Sequence, residues 1–347
     1  MSEPDFKEAG LAGYNRLPDL CGMTGKEAQA PAADEDDKPR DECGVVGLFG
    51  VDNAAQHAAL GLHALQHRGQ ESAGVVSAHS GVLHAHRGMG LVSAVFGKGE
   101  ALALPGSSAI GHVRYSTAGG SNFANAQPLL GRYSAGQVAL AHNGNLAGGD
   151  ELREELLGGG AFLQTSSDSE YFLHLLAQKH AETDADIAEV FARAGAAFSV
   201  VLLYPDRLIA ARDPWGYRPL VLGRMDGGAE IGAYGKAERT AESCDDIDGK
   251  NESAGANGAH NLRESAGLGG QSPQGWVVAS ETCAFDQIGA RYEREIEPGE
   301  MISVRADGIR SPFVGQRPGP RQLCLTALFY FARPAPLSFV HPTHVFR

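Results

Sequence analysis

Forty-two residues without clear periodicity lead into an abrupt apolar run, Cys43-Gly44-Val45-Val46-Gly47-Leu48-Phe49-Gly50, which reads as a buried strand. Ala54, Ala58, Leu62 and Leu65 follow at helical spacing and predict a helix over 54–65. Apolar runs at 73–78, 108–115 and 137–142, set between Gly-rich turns, read as strands. Helices are expected at 151–157, 169–179 and 187–194, then strands at 198–204, 207–211, 220–223, 276–280 and 301–304. Ser167 and Glu170 have the S-x-x-E spacing of a capping box, which places Asp168 in the first turn of the 169–179 helix. Strands, then helices, then strands again imply an α+β fold with segregated layers rather than a βαβ alternation.

Three stretches fall outside this pattern. Residues 1–42 are rich in Ala, Gly, Pro and acids and read as a disordered leader. Residues 236–275 are Gly-, Ala-, Ser- and Glu-rich, contain no aromatic residue and read as a disordered surface insertion. Residues 317–347 are Pro-rich, and no hydrophobic core follows them. Forty-two acidic against 29 basic residues give a formal charge of −13. That balance argues against a general polyanion-binding surface, so no nucleic-acid partner is expected. No run of 18 apolar residues suggests a membrane span, and no leader resembles a secretory or transit signal, which leaves the cytoplasm as the default. The five cysteines (Cys21, Cys43, Cys244, Cys283 and Cys324) are odd in number and widely spaced, with no CxxC. They suit reactive or bystander thiols better than a disulfide framework or a complete zinc site.

Several motifs carry candidate chemistry. Cys43 is a nucleophile only if something removes its proton. At a chain terminus its own α-amine, with a reference pKa of about 7.7–8.0, is a sufficient base; the plainer reading is a small buried strand residue. Cys21 is a poor rival, because no apolar run follows it. In His67-Arg68-Gly69-Gln70-Glu71-Ser72, Arg68 is either a loop cation or part of an anionic site. Arg114, at a strand end before Tyr115-Ser116-Thr117, has the planar guanidinium that grips a carboxylate with two hydrogen bonds. Asn143-Gly144 is first a turn signal. It is alternatively a pair of donors, side-chain amide and backbone N–H, for an oxyanion. Asp168 is either an acid favoured by the helix dipole or a partner for an ammonium group. Together these supply a cation for a carboxylate, an anion for an amine, two oxyanion donors and a thiol, the set that free glutamine demands.

The same residues resemble the glutaminase half of the amidophosphoribosyltransferase family. The resemblance runs through Glu42-Cys43-Gly44, Gln66-His67-Arg68-Gly69-Gln70-Glu71-Ser72, 111–120, Asn125-Ala126-Gln127-Pro128, 139–146 and 164–170. It continues in Arg212-Asp213-Pro214-Trp215-Gly216-Tyr217-Arg218-Pro219, Ala279-Ser280-Glu281-Thr282-Cys283-Ala284, Glu297-Pro298-Gly299-Glu300 and Tyr330-Phe331-Ala332-Arg333-Pro334. It implies an N-terminal-nucleophile (Ntn) hydrolase fold, a four-layer αββα sandwich of two antiparallel sheets between helices. It makes Cys43 the nucleophile, exposed by removal of a propeptide over 1–42, within a glutamine amidotransferase domain at 43–316. Arg114 and Asp168 would hold the glutamine carboxylate and amine, Asn143 and Gly144 would form the oxyanion hole, and Arg68 and Thr117 would complete the pocket.

For the family's whole reaction, ammonia displaces pyrophosphate from phosphoribosylpyrophosphate and gives 5-phosphoribosylamine for purine biosynthesis. The implied partners are therefore glutamine, phosphoribosylpyrophosphate where a phosphoribosyltransferase domain is supplied, and further copies in a homo-oligomer, a tetramer. Only thirteen residues follow Pro334, so 317–347 is expected to be the truncated start of that second domain. The implied cofactors, Mg²⁺ and a [4Fe–4S] cluster with Cys324 as one ligand, would have their remaining sites there; the glutaminase half needs none. Two alternatives stand beside this reading: another amidotransferase of the same fold, such as glucosamine-phosphate synthase, and an unprocessed or non-catalytic fragment.

Overall fold

The computed structural model describes residues 43–115, 120–146, 148–194, 196–225 and 275–312, and four more at 337–338 and 341–342. The leader 1–42, Thr117, Cys324 and most of the 236–275 insertion lie outside the described residues.

In chain order the first half forms β1 (Gly44–Phe49), α1 (Ala54–Ala64), β2 (Ser72–His79), β3 (Val82–Met89), α2 (Val92–Val95), β4 (Ser108–Arg114), β5 (Leu129–Tyr133) and β6 (Gly136–Leu146). It continues with α3 (Gly149–Gly158), α4 (Ser169–Lys179), α5 (Asp184–Ala194), β7 (Ala196–Leu203), β8 (Arg207–Arg212) and β9 (Val221–Met225). After residue 274 come β10 (Gly275–Ala279), α6 (Cys283–Ile288), β11 (Arg291–Glu295), β12 (Met301–Arg305) and β13 (Gly308–Arg310).

These strands form two antiparallel sheets, ordered β11-β9-β10-β1-β4-β2-β3 and β13-β12-β8-β7-β6-β5, and residues 337–338 and 341–342 form a separate two-stranded pair. Side-chain alternation along the central strands builds the layers. In β1, Val46 and Leu48 pack on Ala58 and Leu62 of α1, on Leu65 just beyond it and on Phe285 of α6. Val45 points the other way, into a cluster with Ile110 of its own sheet and Ala139, Ala141, Val201, Leu208 and Ile302 of the second. In β6 and β7, Leu140 and Val200 pack on Phe172 and Leu176 of α4 and Val190 and Phe191 of α5. Helices therefore cover the outer face of each sheet and the sheets pack on one another, the expected αββα order.

The sheets meet closely at Gly47. A Cβ there would lie 2.8 Å from Val278 and 2.9 Å from both Leu208 and Val201, so only glycine fits without displacing neighbours.

Two sequence expectations are corrected. Gly275 does not close the insertion but opens β10, paired with Met225 of β9. A Cβ on it would come within 2.3 Å of Val51, so this glycine serves close approach rather than loop freedom. The capping box does not form. Asp168 itself is the N-cap residue of α4, and Glu170 bonds upstream, accepting the backbone N–H of Gln164 at 2.8 Å and of Thr165 at 2.7 Å.

Candidate active site

Cys43 stands immediately before β1, at the end of the central strand, where β4 and β6 also end. It is buried, and its thiol donates to the Tyr115 carbonyl at 3.4 Å. Burial pushes the thiol up from its ordinary value. The Tyr115 contact and the nearby Arg114 and Arg68 guanidinium groups pull against that rise, and Asp168 adds to it.

The loop between α1 and β2 wraps the end of β4. A Cβ on Gly69 would lie 2.6 Å from the Arg114 carbonyl carbon, so glycine is what lets the two backbones touch. Glu71 N–H then donates to Arg114 O at 3.0 Å, and Arg114 Nη1 approaches Glu71 Oε2 at 3.3 Å and donates to Gly120 O at 3.2 Å. These contacts fix the buried Arg114 side chain beside Cys43.

Asn143 and Gly144 are not in a turn. They sit inside β6, paired with Ser199 and Phe198 of β7. The strand overrides the Asn-Gly turn preference because the residues around it, Leu140 and Leu146 among them, are committed to the core. Gly144 has φ +154°, and a Cβ there would lie 2.1 Å from Ala197 O, so no other residue fits this backbone. Asn143 is 1% exposed, and its side-chain Nδ2 makes no hydrogen bond among the described residues. A buried amide donor left unpaired costs about 1–3 kcal/mol, which singles it out as a group awaiting an acceptor.

Asp168 reaches β6 from the start of α4, where its Oδ2 accepts the Leu146 N–H at 2.8 Å. The buried polar layer behind it is fully connected on one side. Gln127 Oε1 accepts His142 N–H at 2.8 Å, Gln127 Nε2 donates to Ser169 Oγ at 3.0 Å, and His142 Nδ1 lies 2.8 Å from Ser169 Oγ. Burial pushes the His142 pKa down, so the ring is held neutral.

One small cleft therefore has Cys43, Arg114, Gly144 and Asp168 in its walls, with Tyr115, Gln127 and His142. Asn143 adjoins it through Gly144. Arg68 does not line it. That side chain is 1% exposed and turned the other way, donating from Nε to the Cys43 carbonyl at 3.1 Å and from Nη1 to Glu281 at 2.5 Å. Among the described contacts Arg68 holds the Cys43 carbonyl and Glu281. Thr117 lies outside the described residues.

Sequence reasoning assigned no role to Gln127, His142 or Glu281. The signal available was their place in the quoted motifs Asn125-Ala126-Gln127-Pro128, 139–146 and Ala279-Ser280-Glu281. Arg212 and Asp213, in another such motif, are structural supports. Arg212 spans to Glu295, Ile296 and Gly216, and the Asp213 carboxylate accepts the N–H groups of Trp215, Gly216 and Tyr217 at 2.8–3.0 Å. Their turn also holds Phe198 N–H, and so braces β7 directly behind Gly144.

Cys324, the expected cluster ligand, lies outside the described residues. Among the described residues no three His, Cys, Asp or Glu side chains converge as a metal-binding set, so no fit to Mg²⁺ or an iron–sulfur cluster can be derived and no step below runs through either.

Comparison with known proteins agrees with this architecture. Residues 112–233 match the family described as a glutamine amidotransferase domain. The chain is 41% identical over 325 residues to the chloroplastic amidophosphoribosyltransferase of Glycine max, covering 93% of this chain and 49% of that protein. It is 37% identical over 296 residues to the amidophosphoribosyltransferase of Bacillus subtilis, covering 85% of this chain and 52% of that one. The solved B. subtilis glutamine phosphoribosylpyrophosphate amidotransferase, complexed with ADP and GMP, superposes with a TM-score of 0.69 at 35% identity, over 87% of this chain and 55% of that structure. The chain thus spans about half the length of the curated relatives it matches. In sequence and in its Ntn-hydrolase fold this chain is similar to about half the length of the amidophosphoribosyltransferases, and it carries the match to a glutamine amidotransferase domain.

Proposed function

We propose that this chain hydrolyses glutamine to glutamate and ammonia through a thioester on Cys43. The observation that carries the reading is the single cleft walled by a thiol, a guanidinium, a carboxylate and the Gly144 backbone. Arg114 binds the substrate carboxylate and Asp168 its ammonium group. The thiol sulfur attacks the side-chain amide carbon, and the carbonyl oxygen becomes an oxyanion between Asn143 Nδ2 and Gly144 N–H. Donors of this kind contribute about 10²–10³ in rate each. The C–N bond then breaks, ammonia leaves with the proton taken from the thiol, and water hydrolyses the thioester to glutamate.

The base in this scheme is the α-amine of Cys43 after cleavage behind Glu42, with a reference pKa of about 7.7–8.0. As a peptide nitrogen the same atom is no base. His142 is a poor substitute, since burial disfavours its charged form. Thr117 completes the pocket in this proposal.

The wider reaction, formation of 5-phosphoribosylamine from glutamine, phosphoribosylpyrophosphate and water, belongs to the proposal only with a phosphoribosyltransferase domain supplied. Mg²⁺, an iron–sulfur cluster at Cys324 and a tetrameric assembly are proposed on the family resemblance alone, and a cytoplasmic location on the sequence pattern. No described helix is long and apolar enough to cross a membrane. The test is ammonia release from glutamine by the chain cleaved before Cys43, compared with the uncleaved chain. Release by the cleaved form alone supports the reading, and release by neither contradicts it.

A further inference from the structure

Ser280, Glu281 and His67 play no part in the chemistry above, yet the fold presses all three against the start of β1. Glu281 follows β10 directly and is 2% exposed. Its Oε1 accepts Arg68 Nη1 at 2.5 Å and lies 3.1 Å from His67 Nε2. The other His67 nitrogen, Nδ1, lies 3.1 Å from Ala64 O. Both ring nitrogens thus face acceptor oxygens. Burial pushes the Glu281 carboxyl up, but Arg68 and His67 outweigh it and hold the group down to about 2, so it stays charged.

From this anchor Arg68 Nε reaches the Cys43 carbonyl at 3.1 Å. One residue back along the same corner, Ser280 Oγ accepts the Val45 N–H at 3.0 Å, and Ser280 N–H donates to Val45 O at 3.0 Å. Arg68, 25 positions along the sequence, therefore holds the Cys43 carbonyl, and Ser280, 235 positions along from Val45, holds both backbone groups of Val45.

The geometry matters because of where Cys43 stands. Fixing a residue's carbonyl fixes the plane of the peptide that follows it, and with it the position of its Cα, leaving rotation about the Cα–C bond as the backbone freedom that still turns its Cα–Cβ bond. A residue that begins a chain has no preceding peptide to restrain it, and chain ends fray unless tied down. A nucleophile misplaced by about 1 Å loses on the order of 10² in rate.

We propose that Ser280, acting through Val45, and Glu281, acting through Arg68 with His67 in support, are positioning residues that aim the Cys43 thiol. The proposal rests on the glutaminase reading for its catalytic half, but the restraint itself is testable without turnover. Two variants separate the cases. Ser280→Ala removes only the hydroxyl that accepts the Val45 N–H. Arg68→Met combined with Glu281→Leu removes both buried charges together and leaves neither unpaired; should it fail to fold, Ser280→Ala carries the test.

Hydrogen exchange on the full chain is expected to show the Val45 amide exchanging about tenfold faster in either variant, with the β8 amides unchanged. Ammonia release by the cleaved chain is expected to show kcat lower by about tenfold or more, with KM within about twofold, because neither variant touches the cleft wall formed by Arg114 and Asp168. Unchanged exchange at Val45 overturns the proposal whether or not glutamine is turned over. Faster exchange with unchanged kcat, or a rise in KM alone, overturns the positioning role. If the parent chain releases no ammonia, the glutaminase reading fails and exchange alone decides the restraint.

Discussion

The Asp168 carboxylate accepts the Leu146 backbone N–H at 2.8 Å, tying the start of α4 to the strand that carries Asn143 and Gly144. One acid therefore does two things: it places a negative charge in the cleft and sets the depth at which β6 enters it. Asp168→Asn keeps an oxygen for Leu146 and loses the charge. The expected outcome in steady-state kinetics is a KM for glutamine raised about tenfold to a hundredfold, corresponding to the roughly 1.5–3 kcal/mol of a charge-assisted hydrogen bond, with a smaller change in kcat. Asp168→Ala strands the Leu146 N–H as well and is expected to lower thermal stability by about 1–3 kcal/mol, read by calorimetry.

Asn143 has a buried amide with no partner among the described residues, and the account gives it work only when an oxyanion is present. Asn143→Ala is expected to lower kcat by about 10²–10³ and leave KM nearly unchanged. Because the substitution removes an unsatisfied donor, the folded state is not expected to weaken beyond the loss of packing. A large fall in thermal stability with kcat preserved would assign Asn143 to structure instead.

Glu281 gives a pH dependence with a definite sign. Its folded-state carboxyl is held at about 2 against an ordinary value of 4.5, after Arg68 and His67 overcome the effect of burial. A depressed carboxyl contributes stability that is complete above the unfolded value and is lost as pH falls through the folded one. The expected window is from about 4.5 down to about 2, read as a falling urea midpoint. In Glu281→Gln the contribution from this residue disappears from that window. The variant is also less stable at neutral pH by about 3–5 kcal/mol, because Arg68 is left buried without its counterion.

The central architecture was legible in the sequence because the buried strands and helices are apolar in the right period. The 169–179 helix is found where its spacing predicts it, and β1, β2, β4 and the strands around 200 and 210 lie within a few residues of their predicted places. In the two large sheets the strands that escaped, β3, β5, β11 and β13, are the four edges. An edge strand faces water along one side and carries polar residues such as His84, His86 and Arg87 in β3 or Arg291, Glu293 and Arg294 in β11, so its periodicity is weak.

At the site, Cys43, Arg114, Gly144 and Asp168 could be nominated by chemical type, and the fold gathers them into one cleft. What local sequence could not supply was direction. Nothing near Arg68 says that it turns away from the cleft, because its partner Glu281 is 213 residues distant. The Asn143-Gly144 pair reads as a turn until β7 is known to lie alongside it. Glu170 satisfies a capping-box pattern but finds better donors upstream at Gln164 and Thr165.

Covalent attack by Cys43 is the step on which the proposed chemistry depends. The most direct measurement is acid-quenched mass spectrometry of the chain cleaved before Cys43 during turnover of glutamine, with Cys43→Ala in parallel. The expected result is a glutamyl adduct confined to the peptide that begins at Cys43, ammonia release in step with it, and neither adduct nor ammonia from Cys43→Ala. Ammonia release that survives in Cys43→Ala, or an adduct on any other residue, would contradict it.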